Sequence, residues 1–553
     1  MARTGDPGLG SIAGPAALLA LALLTMATHL GQRRPADLAA HAVQARGSGY
    51  LIFPAPWVTR PGELAAAAAA AVLLCLSAAI RLRGRSMLGS GLLGRARRAG
   101  AADLRALRRS GVGARSTEPR VRLGDHRRRP LWLPGEEHLL ALGPTGSGKT
   151  SALAIPALLE WPGPVVVTDP KGELVRATLT HRLTLGAAAV FAPLMEPTEH
   201  WNPVESIQSS EDALRVATFL MGRPPEREPF WHDLARQLLH GLLVEAAHNA
   251  EAPAAVLELL QLVPAEELAV AIRHPVAQRL VQGALSGGDR TSMGVVATLV
   301  AQLGAYGTDQ VAAATSSSDF DPAEIATGEL RTLYCVVAPH DAPVLRGLIS
   351  ALISCCWRSL FSRPPAIPAL FVLDEFAQLT NLPELPALVQ LGRSQGVRLV
   401  LMAQDLGSIS ATYGVDTAGA LWSNCRTKLL LPGISEIDLL ERVSKLAGTS
   451  TLHRRTDAWS REAVSSQPLL HPDDVRRIKP HQALVLHGGD QPAVIDQHRW
   501  FGDRILSRRV SSGAPARLPV PAPGRPLRDW IDPDHTRPSG LDPLRWSPAD
   551  IDP

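Results

Sequence analysis

The chain has 553 residues, 46% of them hydrophobic and 20% charged, with a formal net charge of +4. That length exceeds what one core usually fills, so two or three folded units are expected. The composition is globular, and so mild a charge excludes any argument for nucleic-acid binding from charge alone. The five cysteines, Cys75, Cys335, Cys355, Cys356 and Cys425, form no Cys-x-x-Cys pair, and no histidine cluster has metal spacing. Buried thiols in a reducing compartment are expected, with neither a disulfide framework nor a zinc site. Lysine occurs only at Lys149, Lys171, Lys428, Lys445 and Lys479. Codon usage in a GC-rich genome accounts for the arginine excess, and it draws attention to the few lysines that remain.

Residues 8–30 contain no Lys, Arg, Asp or Glu, and residues 64–80 form a second uncharged run rich in Ala and Leu. About 20 apolar residues in a helix cross the roughly 30 Å hydrocarbon layer, so membrane helices are expected at about 9–30 and 64–80. A cleaved signal peptide fits the first run less well, because Arg3 is offset by Asp6 and a second run follows. Arg81, Arg83, Arg85, Arg95, Arg97, Arg98, Arg105, Arg108 and Arg109 follow the second run. This bias marks the cytoplasmic side and places residues 31–63 in an outer loop. The same arginines also suit anionic lipid or DNA. The reading is a membrane anchor over 1–85 and a basic juxtamembrane linker over 86–130. The protein is then multi-pass in the inner or plasma membrane, with its folded body in the cytoplasm.

Residues 138–142 read as a short buried strand that runs into Gly143-Pro144-Thr145-Gly146-Ser147-Gly148-Lys149-Thr150, with a helical stretch from Ser151. This is a P-loop in the strand–loop–helix setting it requires. Glycines let the backbone wrap phosphates closely, and amides at a helix start favour anions. Lys149 is expected at the β- and γ-phosphates and the Thr150 hydroxyl on Mg²⁺, with Ser151 completing the nucleotide contacts. Residues 369–373 form a continuous apolar run ending in Asp374-Glu375. Asp374 is expected to hold Mg²⁺, and Glu375 to orient and deprotonate the attacking water as general base. Residues 396–403 read as a further strand ending at Gln404, an amide placed to sense the γ-phosphate or else a capped strand end. Arg393, just before that strand, is a candidate finger onto a neighbouring subunit's nucleotide. Residues 164–168 are another buried strand, ending at Asp169-Pro170-Lys171, either a ligand position or a satisfied turn.

Later strand candidates lie at 332–337, 427–431, 483–487 and 493–498, alternating with helical stretches such as 345–359 and 385–391. Alternation of this kind around a P-loop predicts an α/β fold with a mostly parallel sheet. Between about 206 and 315 no strand is expected. Residues 230–248 and 255–285 have helical periodicity, broken in the second by Pro264 and Pro275. The expected plan is a nucleotide-binding domain over 131–206 and 316–510, an all-α insertion over 207–315, and a disordered Pro-rich tail over 511–553. Two similar tail pieces, at 526–530 and 543–546, suit either a linker or short partner motifs.

Beyond these local patterns, the chain resembles the conjugative coupling proteins of type IV secretion, of the TraG/TraD kind. The P-loop, the Asp169-Pro170-Lys171-Gly172-Glu173 turn, Trp201-Asn202-Pro203, Phe230-Trp231 and Asp319-Phe320-Asp321 carry the resemblance. So do Asp374-Glu375-Phe376, Gly392-Arg393, Gln404, Tyr413-Gly414, Asn424 and the run from Pro468 to Val475, in that order. The match extends over about residues 8–501; residues 361–368 and the helical insertion look short against the family pattern. The resemblance implies a RecA-like P-loop ATPase that uses ATP and Mg²⁺ and is a homo-hexamer when active, with nucleotides at subunit interfaces. It also implies recruitment of a relaxase–DNA complex and movement of single-stranded DNA, or attached protein, toward type IV secretion channel components. An FtsK-like translocase of double-stranded DNA is less well matched, because no DNA-reading module is evident after the motor. A nucleotide-gated substrate receptor without motor activity is compatible with the same residues.

Overall fold

In a computed structural model of the chain, the described residues are 96–511, apart from 109–118, 136, 196–197, 225–228 and 455–462. The expected membrane spans at about 9–30 and 64–80, the loop 31–63 and the tail from 512 lie outside them. So do Arg81, Arg83 and Arg85 at the end of the anchor, and part of the basic linker, including Arg95 and Arg109. Residues 96–448 and 468–511 make one compact unit. Residues 449–467 belong to another, whose described part is a two-stranded ribbon.

The main unit is built on an eleven-stranded sheet. Its strands are β1 Arg122–His126, β2 Arg129–Trp132, β3 Leu139–Leu142, β4 Val165–Asp169, β5 Ala187–Phe191 and β6 Leu330–Val336. They continue with β7 Ala369–Leu373, β8 Val397–Ala403, β9 Thr427–Leu430, β12 Gln482–His487 and β13 Ala493–Asp496. The ribbon pairs β10 Thr449–Arg454 with β11 Ala463–Pro468. In the sheet the order is β2-β1-β13-β12-β9-β3-β8-β7-β4-β6-β5. The seven strands from β9 to β5 run parallel, and the four at the other edge pair antiparallel.

Strands such as β3 (LLAL) and β4 (VVVTD) are buried at every position, as expected for parallel strands covered on both faces. Alternate residues serve different layers: Leu140 and Leu142 join one core cluster, Leu139 and Ala141 the other. The second cluster takes up helices Ile155–Glu160 and Glu173–Leu183 with Trp500 and Leu506. The first takes up the long helix Ala342–Ser362 and the helices that follow it. That helix has the length and composition to cross a membrane, yet Leu348, Ile349, Leu352, Ile353 and Cys356 are buried in the core.

Between β5 and β6 every regular element is helical, from Ser210–Met221 to Asp309–Ala314. Proline sets the breaks: one helix stops at Leu262 and the next begins after Pro264, while Pro275 opens another. The buried side chains of this run belong to the same cluster as one sheet face, so the helices and that face share a core. The two ends of the run are tied together. Trp201 N–H donates to Ala314 O at 2.9 Å, Asn202 N–H to Ser318 Oγ at 3.0 Å, and His200 and Asp319 exchange bonds at 2.9 and 3.0 Å. The Trp201-Asn202-Pro203 and Asp319-Phe320-Asp321 motifs therefore form a clasp.

Two features correct the sequence reading. The sheet begins at Arg122, inside the segment assigned to the linker, and Leu104 and Leu107 before it are also buried. The β1–β2 hairpin lacks the usual Asn-Gly signal: two arginines, Arg127 and Arg128, hold the left-handed turn positions at φ 53° and 61°. Pro130 is tolerated because β2 is an edge strand. Strand β5 (AAAVF) was also not anticipated: alanine favours helix, and here pairing with β6 overrides propensity.

Candidate nucleotide site at the strand ends

The carboxyl ends of β3, β8 and β7 lie side by side, because Leu142 pairs with Ala403 and Leu373 with Leu401. After β3 the loop turns on Gly146 and Gly148, at φ 80° and 97°. A Cβ on Gly143 would stand 2.7 Å from Ser147 Oγ and from Leu431 Cβ, so the loop closes only around hydrogen there. Thr150 to Ala154 then form a wider π turn before the helix Ile155–Glu160. Pro156 has no N–H to continue the ordinary ladder, which favours this turn.

Lys149 is buried and reaches Glu375 Oε1 at 3.2 Å. Its ammonium also donates to Gly143 O and, at 3.3 Å, to Pro144 O. Thr150 Oγ1 donates to Asp374 Oδ2 at 3.3 Å, and Thr168 Oγ1 holds the Asp374 carbonyl at 2.8 Å. Asp374 Oδ1 is buried without a hydrogen-bond partner among the described residues. Burial, then the nearby Glu375 charge, pushes the Asp374 carboxyl up to about 7, while Lys149 pulls the other way. An orphaned carboxylate oxygen beside a threonine hydroxyl is a hard, oxygen-only donor set that fits a small divalent cation. The same cation would supply the charge that the buried carboxylate lacks.

Glu375 takes a left-handed conformation, φ 48° and ψ 38°, at the start of the short helix Phe376–Leu379. A non-glycine residue there costs about 1–2 kcal/mol, and such strain concentrates at functional positions. Gln404 follows β8, between the P-loop strand and the acidic strand, and is half-buried. The adjacent Asp405 caps the helix Leu406–Tyr413 by accepting from Ser408 N–H at 2.7 Å, which fixes the amide's location. Ser147 and Ser151 are buried in the loop and first turn, and Ser147 Oγ has no partner among the described residues.

Arg393 is not brought to this site. Its backbone lies in the turn Gly392–Gln395 at the amino end of β8, roughly 20 Å of strand away from Gln404 at about 3.3 Å per residue. Its side chain lies outside the described residues. Asp169 resolves as a turn residue: its carboxylate caps the next helix, accepting from Lys171 N–H at 3.2 Å and Val175 N–H at 2.9 Å. Burial pushes it up to about 6 against those bonds, and Lys171 is exposed, 4.0 Å from Glu173.

Sequence reasoning missed Gln497. Just past β13, its Nε2 donates to Ser147 O at 2.9 Å and to Gln482 O at 3.3 Å. A Cβ on Gly148 would meet Gln497 Oε1 at 2.5 Å. The antiparallel edge of the sheet thus buttresses the phosphate loop from behind. No local motif announces a glutamine 350 residues from its partner.

A phosphate loop, a threonine–aspartate pair and a strained glutamate at adjoining strand ends of a mostly parallel sheet define an α/β P-loop NTPase of the RecA-like class. The chain belongs to the family of the type IV secretory system conjugative DNA transfer proteins, whose model matches residues 100–518. It is 28% identical over 433 residues to VirD4 of Rhizobium rhizogenes, covering 71% of this chain and 63% of that relative. It is 27% identical over 446 residues to the conjugal transfer protein TraG of Escherichia coli, covering 69% of this chain and 70% of TraG. The chain thus spans a little under two thirds of the length of the VirD4 relative. In fold it is similar to the bacterial conjugative coupling protein TrwBdeltaN70, with TM-score 0.58 and 19% identity over 74% of this chain and 94% of the other. Structures of TrwB also exist with the ATP analogue ADPNP (TM-score 0.59, 20% identity, 74% and 94% covered) and with ADP and Mg²⁺ (0.56, 19%, 74% and 96%).

Proposed function

We propose that this chain is the ATP-driven coupling protein of a conjugative type IV secretion pathway. In this reading it recruits relaxase-bound DNA and pumps single-stranded DNA, or attached protein, to a secretion channel. The observation that carries the reading is the junction of Lys149, Thr150, Asp374 and Glu375 at neighbouring strand ends, within a chain of the conjugative DNA-transfer family.

Backbone amides of 143–150 and the Lys149 ammonium would hold the phosphates of ATP, and Thr150 with Asp374 would hold Mg²⁺. That cation would supply positive charge against the negative charge that develops during phosphoryl transfer. The TrwB complexes with an ATP analogue and with ADP and Mg²⁺ support this assignment. Lys149 is engaged by Glu375 and two loop carbonyls. Phosphate oxygens would draw the ammonium away, leaving Glu375 to accept the proton of the attacking water. Gln404 stands where an amide meets the γ-phosphate and reports its loss through the helix Leu406–Tyr413. Arg393, remote from its own chain's nucleotide, would act on a neighbouring subunit's in a homo-hexamer. Residues 9–30 and 64–80 would anchor the assembly in the inner membrane, with the all-helical run over 207–315 serving as the cargo-docking domain.

Lys149→Ala tests this. ATP hydrolysis by the full chain should fall by ~10²–10³-fold, the loss typical of one preorganised charge-stabilising donor, and DNA transfer to recipient cells should stop. Transfer at the unaltered frequency would dismiss the motor.

A further inference from the structure

A cleft of about 580 Å³ opens between the helical run and the nucleotide-binding core. We propose that it is a seat for the phosphodiester backbone of single-stranded DNA, gripped by Arg223 and Arg346; this rests on the coupling-protein reading above. The lining contains these two arginines and neither Asp nor Glu. Neither guanidinium has a carboxylate partner among the described residues, in contrast to Arg215, Arg236 and Arg358 on other helices. Gln302 and Asn381 add neutral amide donors along the walls. The volume falls within the roughly 300–1,000 Å³ typical of ligand clefts. Paired cations and neutral amides, with no Asp or Glu in the described lining, match a chain of phosphates.

Residues of the cleft lining hold the segment that follows Glu375. Arg346 Nε donates to Gln378 O at 3.0 Å, Thr412 Oγ1 donates to Ala377 O, and Asn381 N–H donates to Ser350 Oγ at 2.8 Å. Arg223 packs on the other wall, its Nη1 3.2 Å from where a Cβ of Gly414 would lie, next to the Tyr413 that bonds Thr380 at 2.8 Å. A phosphate drawing on Arg346 would therefore load the helix Phe376–Leu379, and through it the strained Glu375. The cleft thus joins the place where a strand is held to the residue that activates water.

The test is binding of a fluorescein-labelled oligothymidylate by the full chain, followed by anisotropy across a series of salt concentrations. For single strands the slope of log K against log salt is about −0.7 per phosphate contact. Removing both arginines in R223Q/R346Q should make the slope shallower by about 1.4 and weaken binding several-fold at low salt, with thermal stability retained. Arg223→Lys should keep the slope, and Arg363→Gln, at an exposed arginine outside the cleft, should leave it unchanged. A double variant with the original slope, or an equal loss from Arg363→Gln, would overturn the site. Should pyrophosphate bind in the cleft while the oligothymidylate binding is indifferent to both arginines, the occupant is a small phosphate and the DNA assignment fails. If the unaltered chain binds no oligothymidylate in any nucleotide state, the coupling reading fails as well, which separates the two ideas.

Discussion

Glu375 combines three roles that seldom coincide in one side chain. It stands two residues past a fully buried strand, holds a left-handed backbone, and pairs with the buried ammonium of the phosphate loop at 3.2 Å. In the proposed reading, a carboxylate engaged this way is free to act as a base only once the lysine moves off it. Glu375→Gln keeps the shape and a hydrogen-bonding oxygen but cannot take a proton. It should bind Mg-ATP and turn it over at least ~10²-fold more slowly, the usual contribution of general-base catalysis; calorimetric binding with phosphate-release kinetics separates the two effects, and undiminished turnover removes Glu375 as the base. Of these residues, Lys149, Thr150, Asp374 and Glu375 were legible in the sequence, because each belongs to a short contiguous pattern with its own chemistry. Gln497 was not, since its role depends on a strand far along the chain folding back behind the P-loop.

At the scale of elements, the parallel strands were legible from unbroken apolar runs, and the helical run from its periodicity and prolines. What escaped were elements whose own residues argue against them: an arginine-rich hairpin and an alanine-rich strand, held by pairing and by a few buried side chains. Arg182 shows how elements are joined without a motif. Fully buried on the helix Glu173–Leu183, it donates to Thr332 Oγ1 at 2.8 Å, Gly163 O at 2.7 Å, Arg331 O at 3.2 Å and the Trp161 carbonyl. It thereby satisfies backbone acceptors on both sides of β4, and burial without a carboxylate pulls it down to about 10. Arg182→Met keeps much of the volume and orphans those carbonyls, each a loss of about 1–3 kcal/mol. A drop of about 3 kcal/mol or more is expected from urea unfolding, and an unchanged midpoint would show that water replaces the guanidinium.

For the whole molecule, the helical run and the core are linked by charge as well as by packing. Asp212, on the first helix of the run, accepts from Arg358 of the long core helix at 2.8 Å and also engages Arg215. Burial alone would raise its carboxyl, but hydrogen bonds from Arg358, Ser209 and Arg215 outweigh it and hold the group well below the ordinary carboxylate range. A lowered native pKa means stability that is present above the unfolded value near 3.9 and is lost as pH falls below it. Unfolding midpoints measured down from about pH 5 should therefore decline less steeply in Asp212→Asn than in the unaltered protein; parallel curves would show that the pair contributes nothing. Assembly gives the other test at this scale. Because Arg393 precedes β8 and the proposed nucleotide site lies beyond its far end, mixing Arg393→Ala with Lys149→Ala should restore part of the ATP hydrolysis that each lacks alone. Mixed samples no more active than their parents would confine Arg393 to its own subunit. The clasp between His200–Asn202 and Ser318–Asp319 has a consequence of another kind. Since the hundred-odd residues it encloses leave and return through one knot of hydrogen bonds, the exposed loops among them can be lengthened or trimmed without moving the strands that hold the P-loop. Their outer surface is thereby open to variation while the phosphate loop stays in register.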